Sequence, residues 1–298
     1  MDARPRSGPP VPPGGYRAAR MPFFEYHGQR LHFETYGEGP RVMVLVHGLL
    51  LNTRMQQPLA HELAARGNRV VLLDLLGHGR SDRPRDMWRY SMTAFGQQVV
   101  GLLDHLDVEQ AVVGGTSLGA NAALEVADAA PHRLRGMVIE MPVLDNALLA
   151  CAVVFTPLLV ALTFGESWMQ ALSRAARAVP RRMLPFWGDV LLDSLRQDPA
   201  PSAAVLQGIF FGRVAPHRDL RRTFEAPALI IGHHRDPLHP FSDSGMLADE
   251  LPNGRLLEAD SVVELRVNPR RLTGEIAAFV DACWRPVRAG HQRASASR

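Results

Sequence analysis

The stretch that most constrains this chain is Ala111-Val112-Val113-Gly114-Gly115-Thr116-Ser117-Leu118-Gly119-Ala120-Asn121. A short apolar run leads into Gly-x-Ser-x-Gly, and an alanine- and leucine-rich run with helical character follows directly through Ala122, Ala123, Leu124 and Val126. A strand that turns straight into a helix holds the serine on a sharp, strained corner. Gly115 and Gly119 on either side leave room for neighbouring backbone that a Cβ would occupy. The helix that starts at Leu118 would aim its free N–H groups at the serine, where they favour developing negative charge. In isolation an ordinary glycine-rich turn reads the same way, so the rest of the chain must supply the partners.

The surrounding pattern alternates strands and helices. Phe23–Tyr26 and Leu31–Tyr36 alternate apolar and polar residues about His27-Gly28-Gln29, the pattern of a hairpin with one wet face. Arg41–Val46, Val70–Leu73, Met137–Ile139 and Ala228–Ile231 are short, nearly continuous apolar runs, as strands buried on both faces read. Met55–Arg66, Met92–Leu106 and Arg271–Cys283 have helical spacing. Such alternation predicts a mostly parallel twisted sheet with helices on both faces. Ligands in such sheets bind beyond the carboxyl ends of the strands. His47, Asp74, Ser117 and Asp236 all follow a predicted strand end.

Residues 144–225 break the alternation. Residues 147–164 contain no charged side chain, which puts the stretch at the lower edge of a membrane span, and Pro157 stands in its middle. A single crossing there would put the strands at Met137 and Ala228 on opposite sides of a bilayer, so no transmembrane segment is expected. The expectation is a helical cap packed against the body, one side of it facing an apolar pocket. Leu148, Phe155, Phe164, Trp168 and Phe210 are the lining residues it would offer, and a peripheral membrane contact stays open. The organisation expected is therefore a flexible extension at 1–20, a core at 21–143 and 226–285, a cap at 144–225 and a flexible tail at 286–298.

Charge and cysteine content narrow the partners. The formal net charge is +3, and every basic residue is arginine. Four arginines fall in residues 1–20 and four in residues 285–298, so the excess lies in the ends and the body is acidic. A nucleic-acid-binding protein gathers its basic residues on a folded face, and none is expected here. The two cysteines, Cys151 and Cys283, make neither a metal-ligand spacing nor a disulfide framework. A cytoplasmic setting is expected, with no metal and no cofactor.

With these parts in place the chain resembles the α/β-hydrolase family over roughly residues 22–284. His47-Gly48 is similar to the family's oxyanion-loop motif, Asp74-Leu75-Leu76-Gly77-His78-Gly79-Arg80-Ser81-Asp82 to its strand-4 loop, and Gly115–Gly119 to its nucleophile elbow. Gly232-His233-His234-Arg235-Asp236-Pro237 is similar to the loop that holds the catalytic acid, and the cap lies where the family inserts one, between strands 6 and 7. The resemblance implies Ser117 as nucleophile and Asp236 as the acid that orients a base, with Asp145 the alternative acid. It implies an oxyanion hole from the N–H groups of Leu49 and Leu118. His47, Gly48, Leu50 and Thr116 would surround the substrate, and His47 and His78 would brace loops.

One part does not follow the family. Its catalytic histidine stands after strand 8, seven residues before a proline. Counting back from Pro269 lands on Val262, and no histidine lies between His239 and His291. A serine hydroxyl is a weak nucleophile without a base beside it. His239, three residues after Asp236, is the substitute, with His233, His234 and Glu264 as alternatives. Three functions are compatible with this pattern. The first is a hydrolase of a small apolar ester, amide or related substrate. The second is a non-catalytic member that binds a ligand or partner. The third is a cofactor-independent enzyme of another reaction class.

Overall fold

The computed structural model describes residues 23–285. The extensions expected at 1–20 and 286–298 lie outside the described residues.

Eight strands form one sheet in the order β1-β2-β4-β3-β5-β6-β7-β8. The first two, β1 (Phe23–Tyr26) and β2 (Gln29–Tyr36), make the expected antiparallel hairpin. Its two-residue turn places both His27 (φ 48°) and Gly28 (φ 72°) in the left-handed region, the geometry whose twist matches the flanking strands. The remaining strands are β3 (Val42–Val46), β4 (Arg69–Leu73), β5 (Ala111–Thr116), β6 (Leu134–Glu140), β7 (Ala228–His233) and β8 (Gly254–Ala259). From β4 to β8 all neighbours are parallel. β3, β5 and β7 are buried along their whole length, as their largely apolar sequences favour.

Helices cover both faces. α1 (Gln57–Ala64) and the closing helix pack Leu59, Leu63, Leu272, Ile276 and Val280 on one side. α2 (Met92–His105) and α3 (Leu118–Ala129) pack Phe95, Val99, Leu102, Leu124 and Val126 on the other. α2 begins where the Ser91 hydroxyl accepts the Ala94 N–H at 3.1 Å, a side-chain N-cap that replaces a missing helical partner.

Five helices lie between β6 and β7 in sequence: α4 (Leu148–Phe164), α5 (Glu166–Ala178), α6 (Phe186–Leu195), α7 (Pro199–Phe210) and the short α8 (Arg218–Arg221). β6 and β7 pair directly, Met137 opposite Ala228. The helical stretch Asp145–Phe164 between them is long and apolar enough to cross a membrane, yet both flanking strands belong to the same sheet. The inserted helices are clasped to the body by arginine–carboxylate pairs. Arg54, before α1, donates to Asp189 at 2.7 Å and Asp193 at 2.8 Å on α6, and Arg196 and Arg181 close the cluster. After β7 come α9 (Phe241–Glu250), α10 (Glu264–Val267) and α11 (Arg270–Cys283).

One expectation about packing needs correction. The apolar helix α4 is not buried against the body all round. Only Leu162 is fully covered, while Leu149, Val153, Val160 and Phe164 face outward. One side of α4 packs on α7 and the cavity below, and among the described residues no element covers the other.

Candidate active site

The turn from β5 to α3 forces Ser117 to φ 54°, ψ −109°, a region that a residue with a Cβ enters at a cost of roughly 1–3 kcal/mol. Its surroundings hold it there. Ser117 N–H donates to the Glu140 carbonyl of β6 at 2.9 Å, and its own carbonyl accepts the Asn121 N–H at 3.0 Å. Gly115 and Gly119 face each other and the Val46 carbonyl so closely that a Cβ on either would collide with backbone. The corner therefore depends on glycine at both positions.

Below the corner lies a buried polar cluster that anchors the end of β5. Thr116 Oγ1 donates to Glu140 Oε2 at 2.5 Å and accepts from Gln56 Nε2 at 3.1 Å. Arg266, delivered by α10 after the β8 loop, donates to the same Glu140 oxygen at 2.6 Å. Val262 lies in this loop, between β8 and α10.

The partner of Ser117 comes from the loop after β7. His239 Nε2 is 2.9 Å from Ser117 Oγ, and His239 Nδ1 is 2.8 Å from Asp236 Oδ2. A carboxylate only accepts, so Nδ1 carries the proton and Nε2 presents its lone pair to the serine hydroxyl. The loop is folded for this contact by Asp236 itself. Its Oδ1 accepts the N–H groups of Leu238 at 2.8 Å and His239 at 3.0 Å, turning the chain back so that a side chain three residues on meets the other oxygen. Burial alone would push the Asp236 carboxyl up. The His239 ring and these two N–H groups outweigh it and hold the carboxyl below its ordinary range.

The other histidines are committed elsewhere. His233 is buried, donates from Nδ1 to the Ser261 carbonyl at 2.8 Å and faces Glu140 at 3.9 Å. His234 is half exposed, 2.6 Å from Glu258 and stacked on Phe241. Glu264 is buried and taken by Arg271 at 2.7 and 2.8 Å. Asp145 is an exposed residue at the cavity wall.

Ser117 and His239 open onto a cavity of about 740 Å³, with Leu49 and Leu118 beside the serine. Two strand ends set the loop that carries Leu49. His47 is buried, donates from Nδ1 to the Gly48 carbonyl at 2.8 Å and accepts the Leu75 N–H on Nε2 at 3.2 Å. Its burial holds the ring neutral, which that pattern of one donor and one acceptor requires. Asp74 ties the neighbouring loops by accepting from His32 at 2.8 Å, Thr53 N–H at 2.7 Å and Arg80 N–H at 3.0 Å. His78 is likewise buried, its Nδ1 donating to the Leu76 carbonyl at 3.0 Å, so the His47 and His78 rings both brace loops. His47, Gly48, Leu50 and Thr116, expected around the substrate, do not line the cavity; His47 and Thr116 are spent on loop and strand contacts, and the Leu50 carbonyl accepts from Gln197. Of the expected apolar lining, Leu148, Phe155 and Phe210 are present, whereas Phe164 and Trp168 point to solvent. Asn121 and the segment 213–218 line the cavity and carried no sequence signal of doing so.

The sheet order, the strained serine corner and the matching sequence pattern place the chain in a known class. It belongs to the alpha/beta hydrolase fold family, which it matches over residues 41–238, ending one residue before His239. Among curated proteins it is 28% identical to a putative carbamate hydrolase of Azorhizobium caulinodans, over 80% of this chain and 90% of that one. It is 34% identical to an uncharacterized protein of Mycobacterium bovis across 40% of this chain, which amounts to about a third (34%) of that relative's length. The same fold is seen in the crystal structure of the enol-lactonase from Burkholderia xenovorans LB400. The TM-score is 0.70 and the identity 23%, over 87% of this chain and 100% of that one.

Proposed function

We propose that this chain hydrolyses a small, apolar ester, lactone, amide or related acyl substrate through Ser117, with His239 as general base and Asp236 as the group that orients it. The single observation that carries this reading is the 2.9 Å contact between His239 Nε2 and Ser117 Oγ, backed by the 2.8 Å contact to Asp236. In this reading His239 takes the serine proton as Oγ attacks the acyl carbon. The oxygen that becomes negative is received by the N–H groups of Leu118, at the start of α3, and Leu49. The imidazolium, stabilised by Asp236, then returns the proton to the leaving group. Water enters by the same base to release the acyl group. The apolar cavity walls, among them Leu148, Phe155, Leu206 and Ile209, favour a hydrocarbon acyl or ring substituent. The hydrolase names of relatives agree with this reaction class and do not choose the substrate.

The test is labelling by a fluorophosphonate, which reacts with activated serines. Wild type should be labelled at Ser117 and turn over p-nitrophenyl esters, and Ser117→Ala should do neither. A folded wild type that is not labelled would refute the reading and favour a ligand-binding role.

A further inference from the structure

Helix α4 presents a continuous outward stripe of Leu149, Val153, Pro157, Val160 and Phe164, continued by Trp168 on α5. From Leu149 to Phe164 the stripe runs about 22 Å at 1.5 Å per residue. Its side chains are well out in solvent: Leu149 is 77% exposed, Val153 66%, Phe164 85% and Trp168 83%. Isolated exposed apolar residues are ordinary, but an aligned stripe of this length marks a surface that something covers.

We propose that this face docks on an anionic lipid bilayer, with α4 lying in the plane of the interface. Three features select lipid over a protein partner. First, a protein interface is interspersed with hydrogen-bonding groups, about one bond per 100–200 Å². The exposed outer side of α4 offers only the hydroxyls of Thr156 and Thr163. Acyl chains need no polar partners, and the backbone groups of the helix interior are paired within it apart from the Val153 carbonyl, for which Pro157 supplies no N–H. Second, Trp168 stands at the end of the stripe, the side chain that prefers the headgroup level. Third, positive charge flanks it. Residues 166–185 carry four arginines and one acid. Arg174 and Arg177 donate from Nε to the Gln170 and Arg196 carbonyls, and with Arg182 they form no ion pair among the described residues. Unneutralised arginines beside an apolar helix attract anionic headgroups.

The inner side of the same helix lines the cavity through Leu148, Cys151, Ala152 and Phe155. Docking would bring the cavity wall within about one helix diameter, 10–12 Å, of the acyl region. The corollary that an apolar substrate enters from the bilayer rests on the hydrolase reading; docking itself does not.

The experiment is flotation of the full chain with extruded vesicles of phosphatidylcholine alone or with 30 mole per cent phosphatidylglycerol. Wild type and Ser117→Ala should both float with the anionic vesicles, and tryptophan emission should shift to the blue, a shift lost in Trp168→Phe. The combined variant Leu149→Ser, Val153→Ser, Val160→Ser and Phe164→Ser keeps both arginine-rich ends and should bind at least tenfold more weakly with an unchanged melting temperature. Arg174→Glu with Arg182→Glu should weaken binding severalfold, as should 0.5 M salt. Equal flotation of wild type and the fourfold variant would overturn the proposal, as would no flotation at millimolar lipid. So would a wild-type dimer that the fourfold variant converts to monomer, because a second copy would then be the cover. Vesicle binding without ester turnover would leave docking standing and remove the hydrolase reading.

Discussion

Asp236→Asn separates the two jobs that one carboxylate does in this loop. Oδ1 accepts the N–H groups of Leu238 and His239 and folds the turn, while Oδ2 accepts the His239 ring proton at 2.8 Å. Asparagine keeps an amide oxygen for the turn, so the loop keeps its shape. It places an NH₂ group opposite Nδ1, however, and two donors cannot face each other. His239 must take the other tautomer, with the proton on Nε2, and then donates to Ser117 instead of accepting from it. A base in the wrong tautomer costs on the order of 10⁴-fold in kcat, about 5 kcal/mol of barrier. The assay is p-nitrophenyl ester turnover at fixed pH, with the melting temperature as a control for folding. The expected result is a fall of about 10⁴ in kcat with a nearly unchanged melting temperature. If Asp236 were only a turn residue, the asparagine would serve as well, and a loss under tenfold would refute the reasoning.

Three further outcomes follow from the geometry. Gly119→Ala should lose about 3 kcal/mol or more in urea unfolding, or fail to fold, because its Cβ would meet the Val46 carbonyl and both partners are backbone. Arg266→Met should cost about 3 kcal/mol in the same measurement, since it strands the buried Glu140 carboxylate that Arg266 pairs at 2.6 Å. The clasp between α6 and the body should weaken in acid. Burial opposes ionisation of Asp193, but bonds from Arg181, Arg196, Arg54 and Asn52 outweigh it and lower its pKa to about 2. A depressed carboxylate contributes its full stabilisation above its unfolded value near 4 and loses it as pH falls towards 2. Asp193→Asn should therefore be less stable than wild type by roughly 1 kcal/mol at pH 6, allowing for solvent screening, and equal to it near pH 2. A difference that does not change with pH would contradict this origin.

Much of the fold was legible because its signals are local. Apolar runs marked the buried strands, and their alternation with helical spacing implied the parallel sheet. Ser117 and Asp236 stood at predicted strand ends, where such sheets place ligand sites. Other parts depend on distances that only the folded chain creates. The spacing from Asp236 points to His239, but the turn that swings it to Ser117 is made by Asp236 accepting two backbone N–H groups, which no local pattern shows. Arg266 lies 150 residues from Thr116, and no pattern links them. Helix α7 carries Pro199 and Pro201, a residue type that breaks helix interiors. Both fall in its first turn, where a missing N–H costs nothing, and Asp198 caps it by accepting from Ala200 N–H. For α4 the composition was plain, but composition does not say which side of a helix is covered. That is why the sequence points Phe164 and Trp168 at the cavity while the fold turns them to solvent.

The central claim is that Ser117 is activated by a histidine from the loop after β7. Its most direct test is the second-order rate of fluorophosphonate labelling at Ser117 in wild type, His239→Ala, His234→Ala and His233→Ala, each shown to be folded. Only His239→Ala should lose labelling, by at least about 10³-fold. Labelling of His239→Ala at the wild-type rate, or equal losses in His239→Ala and His234→Ala, would contradict it.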